Sequence, residues 1–149
     1  MKDVHIIAKI SNQDAAQIFP VLCDFKTYPD MCKAVRVVTV EAVGENEILS
    51  SWEVNFQSGI LKWQERDLID HEKKEIRFNQ VAGDIDHFSG SWRVIDDVES
   101  CRVIFEAQFD LGIPTMSDML DPIAEKAIRE NIQSIIQGLF SCNQIEIVN

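Results

Sequence analysis

Basic side chains are scarce in this sequence, and no local cluster compensates for their small number. Only 14 residues are Lys or Arg, against 25 Asp or Glu, so the formal net charge is -11. This charge opposes a phosphate backbone, and no nucleic acid partner is expected. No stretch approaches the roughly 18 consecutive apolar residues of a membrane-spanning helix, and the N-terminus alternates instead of forming a signal peptide. We therefore expect a cytoplasmic protein without integral membrane association.

Potential metal ligands and redox dithiols are also few and scattered. The four cysteines and three histidines lie far apart, at Cys23, Cys32, Cys101, Cys142, His5, His71 and His87. No C-x-x-C spacing occurs, so the cysteines are expected to be reduced and mostly to pack in the interior. Isolated histidines argue against a metal centre. Neither a metal nor any other cofactor is predicted.

The N-terminal region contains a short strand followed by a helical pattern. The whole chain has 149 residues, 46% of them hydrophobic, which predicts one domain spanning 1–149. Residues 4–10 are rich in β-branched side chains and predict a strand. Ser11 or Asn12 can cap the following helix, although Pro20 would have to kink or divide it.

The central half of the chain has the alternation of an antiparallel sheet. Residues 24–29 predict a loop, because Pro29 disfavours helix in its predecessor. From 35 to 109 the apolar period is two, which predicts a meander of short strands with one apolar face. Turn-forming residues interrupt this pattern at 44–46, 58–59, 70–73, 83–84 and 96–97.

A long helix is predicted near the C-terminus. Asp121 can cap it and Pro122 suits its first position, which predicts a helix from 122 to about 142, on the order of 30 Å long. Its apolar stripe comprises Leu120, Ile123, Ala127, Ile128, Ile132, Ile135, Ile136, Leu139 and Phe140. A stripe of this length predicts packing across the whole sheet.

Two carboxyl groups share an otherwise apolar strand face. Alternation places five side chains together: Leu61, Trp63, Glu65, Asp67 and Ile69. Carboxyl groups buried beside aromatic rings and beside each other acquire raised pKa values, which prepares a general acid or base. Alternatively, the strand twists or bulges near Glu65, so that Asp67 reaches solvent or pairs with Arg66, Arg77 or Lys62.

Two amide side chains also interrupt apolar faces. Gln80 shares a strand face with Ile76 and Phe78, and Asn131 lies within the helical stripe. Each amide requires a hydrogen-bond partner there. A ligand carbonyl, a neighbouring side chain and water remain open as partners.

The order of these elements resembles that of a known superfamily. The similarity is carried by residues 24–29 (DFKTYP), 61–65 (LKWQE), 88–92 (FSGSW), 105–110 (FEAQFD) and 129–132 (RENI). The chain resembles the START/Bet v 1-like (SRPBCC) proteins, and within them the polyketide aromatase/cyclases and the coenzyme Q-binding group. The resemblance implies an α+β helix-grip fold, in which a curved antiparallel sheet of about seven strands surrounds a long C-terminal helix. Two short helices follow the first strand.

The resemblance also implies a lipophilic pocket between the sheet and the long helix. Its expected ligand-binding residues are Tyr28, Trp52, Trp63, Phe78, Phe88, Trp92, Phe105, Phe109 and Asn131. Without the resemblance, the same aromatic side chains would simply fill a core, which is the commoner fate of such a face.

Similarity to aromatase/cyclases implies an enzyme that binds a poly-β-ketone, presented on an acyl carrier protein in those systems, and promotes aldol cyclisation and dehydration. The expected catalytic residues are Glu65, Asp67 and Gln80. They occupy positions at which many such cyclases have a hydroxyl residue or an arginine, so a different proton-transfer chemistry is expected. The alternative is a non-catalytic carrier of a quinone or lipid. Both a monomer and a homodimer are consistent with the sequence.

Overall fold

The structure, a computed structural model, describes residues 1–56, 59–110 and 117–148, including their side chains except those of 117–121. The elements in chain order are β1 (Lys2–Ser11), α1 (Ala15–Cys23), a 3-10 turn (Phe25–Thr27), α2 (Tyr28–Met31), β2 (Val35–Gly44), β3 (Glu47–Phe56), β4 (Gly59–Asp70), β5 (Glu75–Gly83), β6 (His87–Asp97), β7 (Ser100–Asp110), α3 (Ser117–Leu139) and β8 (Ile145–Val148).

The strands form one antiparallel sheet in the order β2-β3-β4-β5-β6-β7-β1-β8. Consecutive strands from β2 to β7 are neighbours, while β1 pairs with β7 and β8 pairs with β1. Helix α3 packs on β1 and on β3 and also contacts α2. The predicted helix-grip fold is confirmed, with eight strands because the short β8 was not expected. None of the described helices is long and apolar enough to cross a membrane.

The strands end where turn residues release the backbone from the extended conformation. Asn46, Lys74 and Glu99, in three of the turns, have φ values of 59°, 54° and 55°. These left-handed conformations occur between the paired strands, where the chain must reverse direction. The inward face of the sheet is apolar along β6 and β7, as the alternation predicts.

Helix α1 begins later than predicted. Its N-cap is Asp14, whose Oδ1 accepts from the Gln17 N–H at 2.9 Å, while Gln17 Oε1 accepts from the Asp14 N–H at 3.0 Å. Ser11 still belongs to β1, and Asn12 adopts a left-handed turn with φ of 61°. Pro20 lies inside the helix without dividing it. A proline there removes a single backbone hydrogen bond, so the helix continues on both sides.

Replacing Asp14 with alanine is expected to lower the free energy of unfolding by about 1 kcal/mol. The substitution removes the bond that Asp14 Oδ1 accepts from the Gln17 N–H but keeps the backbone N–H that donates to Gln17 Oε1. Urea denaturation measures the loss. The matched variant Asp14→Asn is expected to stay close to the wild type, because asparagine caps helices as well as aspartate does. An equal loss in both variants would contradict capping as the cause.

Two further helix boundaries differ from the sequence predictions. The predicted loop at 24–29 contains the 3-10 turn and the start of α2, where Tyr28 is helical although proline follows it. Burial of Tyr28 outweighs the local preference. Helix α3 begins at Ser117, so Asp121 is not its cap and Pro122 lies within it. Ile123, assigned to the buried stripe, is 54% exposed.

Candidate functional site

A cavity of about 70 Å³ lies between the sheet and α3. Its lining residues are Phe25, Tyr28, Trp52, Val54, Phe56, Leu61, Trp63, Glu65, Phe78, Ile85, Phe88, Trp92, Phe105, Ile128, Asn131, Ile132 and Ile135. Strands β3 to β7 supply one wall, α3 the opposite wall, and the 3-10 turn and α2 supply Phe25 and Tyr28. The lining is therefore aromatic and aliphatic, with very few polar side chains.

The aromatic lining is a continuous series of ring contacts. In order, these rings belong to Tyr28, Trp52, Trp63, Phe88, Phe78, Phe105 and Trp92, with centroid separations between 4.7 and 5.9 Å. Trp52 and Trp63 stack in parallel at 5.9 Å with an interplanar angle of 3°. Most of the other contacts are edge-to-face or tilted, which suits the aromatic quadrupole. Seven of the nine predicted ligand-binding residues thus form one connected wall.

The cavity is smaller than an ordinary ligand pocket. Such pockets have volumes of roughly 300–1,000 Å³. The aromatic side chains consequently fill most of the interior and leave a space of about 70 Å³ within it. A small cavity thus remains within a largely filled interior, and a larger ligand would require some rings to move.

The position of Trp63 depends on close contact with β5. Trp63 pairs with Gly83, which has φ of 151°. A Cβ atom at this position would lie 2.5 Å from the Cβ of Trp63. Only glycine suits both this backbone conformation and this close approach. Immediately beyond it, the β4–β5 register shifts between the pairs Gln64–Ala82 and Glu65–Gln80, leaving one extra residue, Val81, in β5.

The carboxyl groups of Glu65 and Asp67 both point inward from β4. Glu65 is 5% exposed and lines the cavity, whereas Asp67 is fully buried behind it. A bulge is present, as the alternative interpretation required, but it lies in β5 and leaves Asp67 in the interior. The alternative in which Asp67 reaches solvent or pairs with a basic residue is therefore wrong.

A polar network joins this carboxyl pair to the two stacked indoles. Trp63 Nε1 donates to Glu65 Oε1 at 2.7 Å. On the other side, Trp52 Nε1 donates to Ser50 Oγ at 2.8 Å, and Ser50 Oγ donates to Asp67 Oδ2 at 2.5 Å. Asp67 Oδ1 is buried and has no donor among the described residues. A proton on Glu65 is the donor that can satisfy it.

Burial and mutual proximity favour the protonated form of Glu65 in this pair. Burial raises the pKa of Glu65 well above its usual value of 4.5, and the adjacent Asp67 carboxylate raises it further. Burial also raises the pKa of Asp67, but hydrogen bonds from Glu65 and Ser50 oppose that rise. The arrangement therefore favours a protonated Glu65 beside an ionised Asp67.

Replacing Ser50 with alanine is expected to lower the free energy of unfolding by about 2 kcal/mol. The variant leaves Asp67 Oδ2 and Trp52 Nε1 without their partner in a fully buried position. Urea denaturation measures the change. The adjacent Ser51→Ala is the matched control, because Ser51 is half-buried and accepts only a 3.2 Å bond from Gln64. We expect Ser51→Ala to change stability by less than about 0.5 kcal/mol. Equal losses would indicate a strand effect unrelated to the network.

Three predicted site residues do not line the cavity. Asp67 lies behind Glu65, and Gln80 Nε2 donates to the backbone oxygen of Ile85. Gln80 Oε1 is buried without a donor among the described residues. Phe109 is fully buried between its strand partners Lys2 and Phe88 and belongs to the core. A side chain that points inward from the sheet therefore does not necessarily line the cavity.

Tyr28 and Asn131 line the cavity, but protein partners already engage their hydrogen-bond donors. Tyr28 Oη donates to the Leu22 oxygen at 2.5 Å, and burial raises the pKa of Tyr28 well above its usual value. Asn131 Nδ2 donates to the Asn55 oxygen at 2.9 Å and thereby ties α3 to the end of β3. Both residues have a clear structural function in addition to their position in the wall.

Sequence reasoning did not single out Ser50 as a site residue. Its only sequence signal was its place in alternation with Trp52 on the apolar face of β3. Among the described residues, no group of three or more His, Cys, Asp or Glu could hold a metal. Cys32 and Cys101 are buried, Cys142 is exposed, and all the cysteines are free thiols.

Solved structures similar to this chain share the whole fold. TTHA0849 from Thermus thermophilus is 23% identical, with a TM-score of 0.86 over 94% of this chain and 95% of that one. The Zhui aromatase/cyclase from Streptomyces sp. R1128 is 17% identical, with a TM-score of 0.82 over 94% and 92%. The major latex-like protein 151 of Panax ginseng is 13% identical, with a TM-score of 0.73 over 94% and 97%. These likenesses show the fold.

A family profile identifies the family of this chain, whereas a comparison with individual curated proteins found no match. The profile described as "Polyketide cyclase / dehydrase and lipid transport" matches residues 12–136, from the turn before α1 almost to the end of α3. The match includes the carboxyl pair and all the residues that line the cavity. The chain therefore belongs to the polyketide cyclase/dehydrase and lipid transport family.

Proposed function

We propose that this protein is a polyketide-type cyclase/dehydratase. It binds a poly-β-ketone or a related lipophilic intermediate between the sheet and α3 and promotes aldol ring closure followed by loss of water. Glu65 is the residue that transfers the proton. Family membership and the apolar, aromatic cavity support the substrate class.

One observation carries this proposal: the only acidic side chain in the described lining is Glu65, and burial favours its neutral form. A carboxylic acid in an apolar wall can donate a proton to a ketone oxygen near neutral pH, which an ordinary ionised glutamate cannot do. The bond from Trp63 Nε1 holds the carboxyl group in place. Its remaining oxygen is the group that exchanges the proton.

The proposed ring closure requires one acid, Glu65, which gives up one proton and takes one back. The nucleophilic carbon of the chain loses a proton, and its electron pair forms the new carbon–carbon bond to a ketone carbon. Glu65 delivers its proton to the ketone oxygen, which becomes a hydroxyl group. The proton lost from carbon returns to Glu65. In the dehydration, Glu65 protonates the departing hydroxyl group, which leaves as water. The electron pair of the breaking carbon–hydrogen bond forms the double bond, and the proton from that carbon returns to Glu65.

Asp67 assists without touching the substrate. It lies beside Glu65 but does not line the cavity, so it is a positioning residue. Its negative charge disfavours ionisation of Glu65, and its otherwise unpaired Oδ1 accepts a hydrogen bond from the protonated Glu65 carboxyl group in the resting site.

The proposal is tested with a poly-β-ketone thioester of an acyl carrier protein, and in parallel with a short soluble thioester. We expect the protein to convert the chain into one predominant cyclised and dehydrated product. Incubation without the protein gives the spontaneous mixture for comparison. An unchanged mixture in the presence of protein that binds the substrate would contradict catalysis.

A carrier of a lipophilic molecule such as a quinone or lipid is the second candidate. It is favoured by the nearly complete apolarity of the lining, in which Glu65, Asn131 and Tyr28 supply most of the polar atoms. Burial of apolar surface would then supply the affinity. Retained binding without product formation would identify this function.

A further inference from the structure

Each carboxyl group of the buried pair accepts a hydrogen bond from a different neutral donor. Trp63 Nε1 donates to Glu65 Oε1 at 2.7 Å, and Ser50 Oγ donates to Asp67 Oδ2 at 2.5 Å. Each bond favours the ionised form of the carboxyl group that accepts it. A shared proton can therefore lie on Glu65 at the cavity or on Asp67 behind it, and the two donors favour opposite arrangements.

Trp52 determines where the Ser50 hydroxyl proton points. An indole N–H can only donate, and Trp52 Nε1 donates to Ser50 Oγ at 2.8 Å. The hydroxyl group has one proton of its own, and its bonds to described residues are those to Trp52 and Asp67. If Asp67 donated to Ser50 instead, the buried hydroxyl proton would lose this acceptor. The geometry therefore requires Asp67 Oδ2 to accept.

The chain from Trp52 through Ser50 to Asp67 is the stronger of the two donor arrangements. A hydroxyl group that accepts a hydrogen bond becomes a better donor, because successive bonds polarise one another. Glu65 receives a single bond from Trp63 without such an intermediate hydroxyl. Ser50 is fully buried, so water does not compete for its bonds. This chain favours the negative charge on Asp67 and leaves the proton on Glu65.

The groups packed around the pair supply no charge that would reverse this preference. The described cavity lining contains no Lys, Arg or His. Tyr28 of α2 interacts electrostatically with both carboxyl groups, but burial raises the pKa of its hydroxyl well above the usual value, so it stays neutral. The side chains paired with the two carboxyl groups on the adjacent strands are also uncharged: Ile48, Ser50, Phe78 and Gln80.

We propose that Ser50 is a positioning residue that directs the exchangeable proton of the pair to Glu65 by stabilising the negative charge on Asp67. Ser50 does not line the cavity and acts only through Asp67. This inference rests on the proposed function of Glu65 as proton donor, and it identifies the group that keeps that donor loaded between turnovers.

Carboxyl carbon NMR of the ligand-free protein shows which group holds the proton. The Glu65 Cδ and Asp67 Cγ signals are each assigned through the protons of their own side chain. Near neutral pH, we expect wild-type Glu65 at the position of a neutral acid and Asp67 at that of a carboxylate. In Ser50→Ala, the ratio of Glu65-protonated to Asp67-protonated pairs is expected to fall by about 10- to 100-fold, because a bond to a charged group is lost. Both signals then move towards the opposite form.

The matched variants separate the hydroxyl donor from general effects on the strand. Ser50→Thr retains the hydroxyl group and Ser51→Ala leaves it untouched, so both are expected to keep the wild-type signals. If Ser50→Ala does not fold, Ser50→Cys decides, since its weak S–H donor should produce the same change to a smaller extent. The inference is overturned by an ionised Glu65 in wild type, or by wild-type signals in the variant that lacks the hydroxyl group.

Ring closure is measured separately, so that the two proposals can fail independently. Ser50→Ala is expected to lower the single-turnover rate in proportion to the fraction of pairs protonated on Glu65, with substrate binding within about threefold of wild type. A displaced proton in Ser50→Ala, with no cyclisation by the wild type, would refute only the proposed enzyme. Normal cyclisation with unchanged carbon signals in Ser50→Ala would refute only the role of Ser50.

Discussion

Replacing Glu65 with glutamine is expected to reduce ring closure by about 10²- to 10⁴-fold, the usual contribution of a positioned acid or base. Glutamine preserves the size of the side chain, and its oxygen can still accept from Trp63 Nε1. Its amide can also donate to the unpaired Asp67 oxygen. The variant therefore keeps the wall of the cavity and removes only the exchangeable proton.

The measurement is single-turnover formation of the cyclised product, together with substrate binding. We expect binding to stay within about threefold of wild type, because one neutral hydrogen-bonding group replaces another. Glu53→Gln is the matched control, since Glu53 lies in the neighbouring strand, faces outward and pairs with Lys62. Wild-type rates in the Glu65 variant would remove this residue from the mechanism.

The stability of the wild type is expected to fall with rising pH relative to that of Glu65→Gln. In the unfolded chain Glu65 ionises near its usual pKa of 4.5, whereas burial raises that pKa in the folded protein. Between the two pKa values the folded state binds more protons than the unfolded state. The stabilisation linked to this proton is complete below pH 4.5 and is lost as pH rises through the folded pKa.

The difference in unfolding free energy between wild type and Glu65→Gln is expected to change by up to about 1.4 kcal/mol for each pH unit between the two pKa values. Urea denaturation of wild type and Glu65→Gln at pH 5, 6, 7 and 8 measures it. The pH at which the difference becomes constant reports the pKa of Glu65 in the folded protein. Glu72→Gln, in the exposed β4–β5 turn, is the control and should follow the wild type. Parallel curves for wild type and Glu65→Gln would show that Glu65 ionises normally and is not a proton donor.

Local patterns in the sequence predicted the main elements of the sheet. The turns around Asn46, Lys74 and Glu99 lie where breakers interrupt a period of two. Helix boundaries were less accurate, because proline preference describes a residue and its neighbours only. Pro20 and Pro122 both lie inside helices, where packing of the buried face compensates for a missing backbone bond.

The register between strands could not be read from the sequence. Ser50 pairs with Glu65 and hydrogen-bonds to Asp67, so the polar network exists only in the observed β3–β4 register. The bulge at Val81 then places Gln80 opposite Glu65. A one-residue change in either pairing would separate these groups, since a slip reverses the face of every side chain.

Alternation along single strands determined which side chains point inward, because that property depends only on the local backbone. Alternation placed Glu65, Asp67 and Phe109 on apolar strand faces, although exposure of Asp67 to solvent remained an open alternative, and all three are buried. Only the tertiary structure decided that Glu65 reaches the cavity, that Asp67 stands behind it, and that Phe109 belongs to the core. Cavity access depends on how the sheet curves and how α3 packs on it, and these contacts join residues distant in sequence.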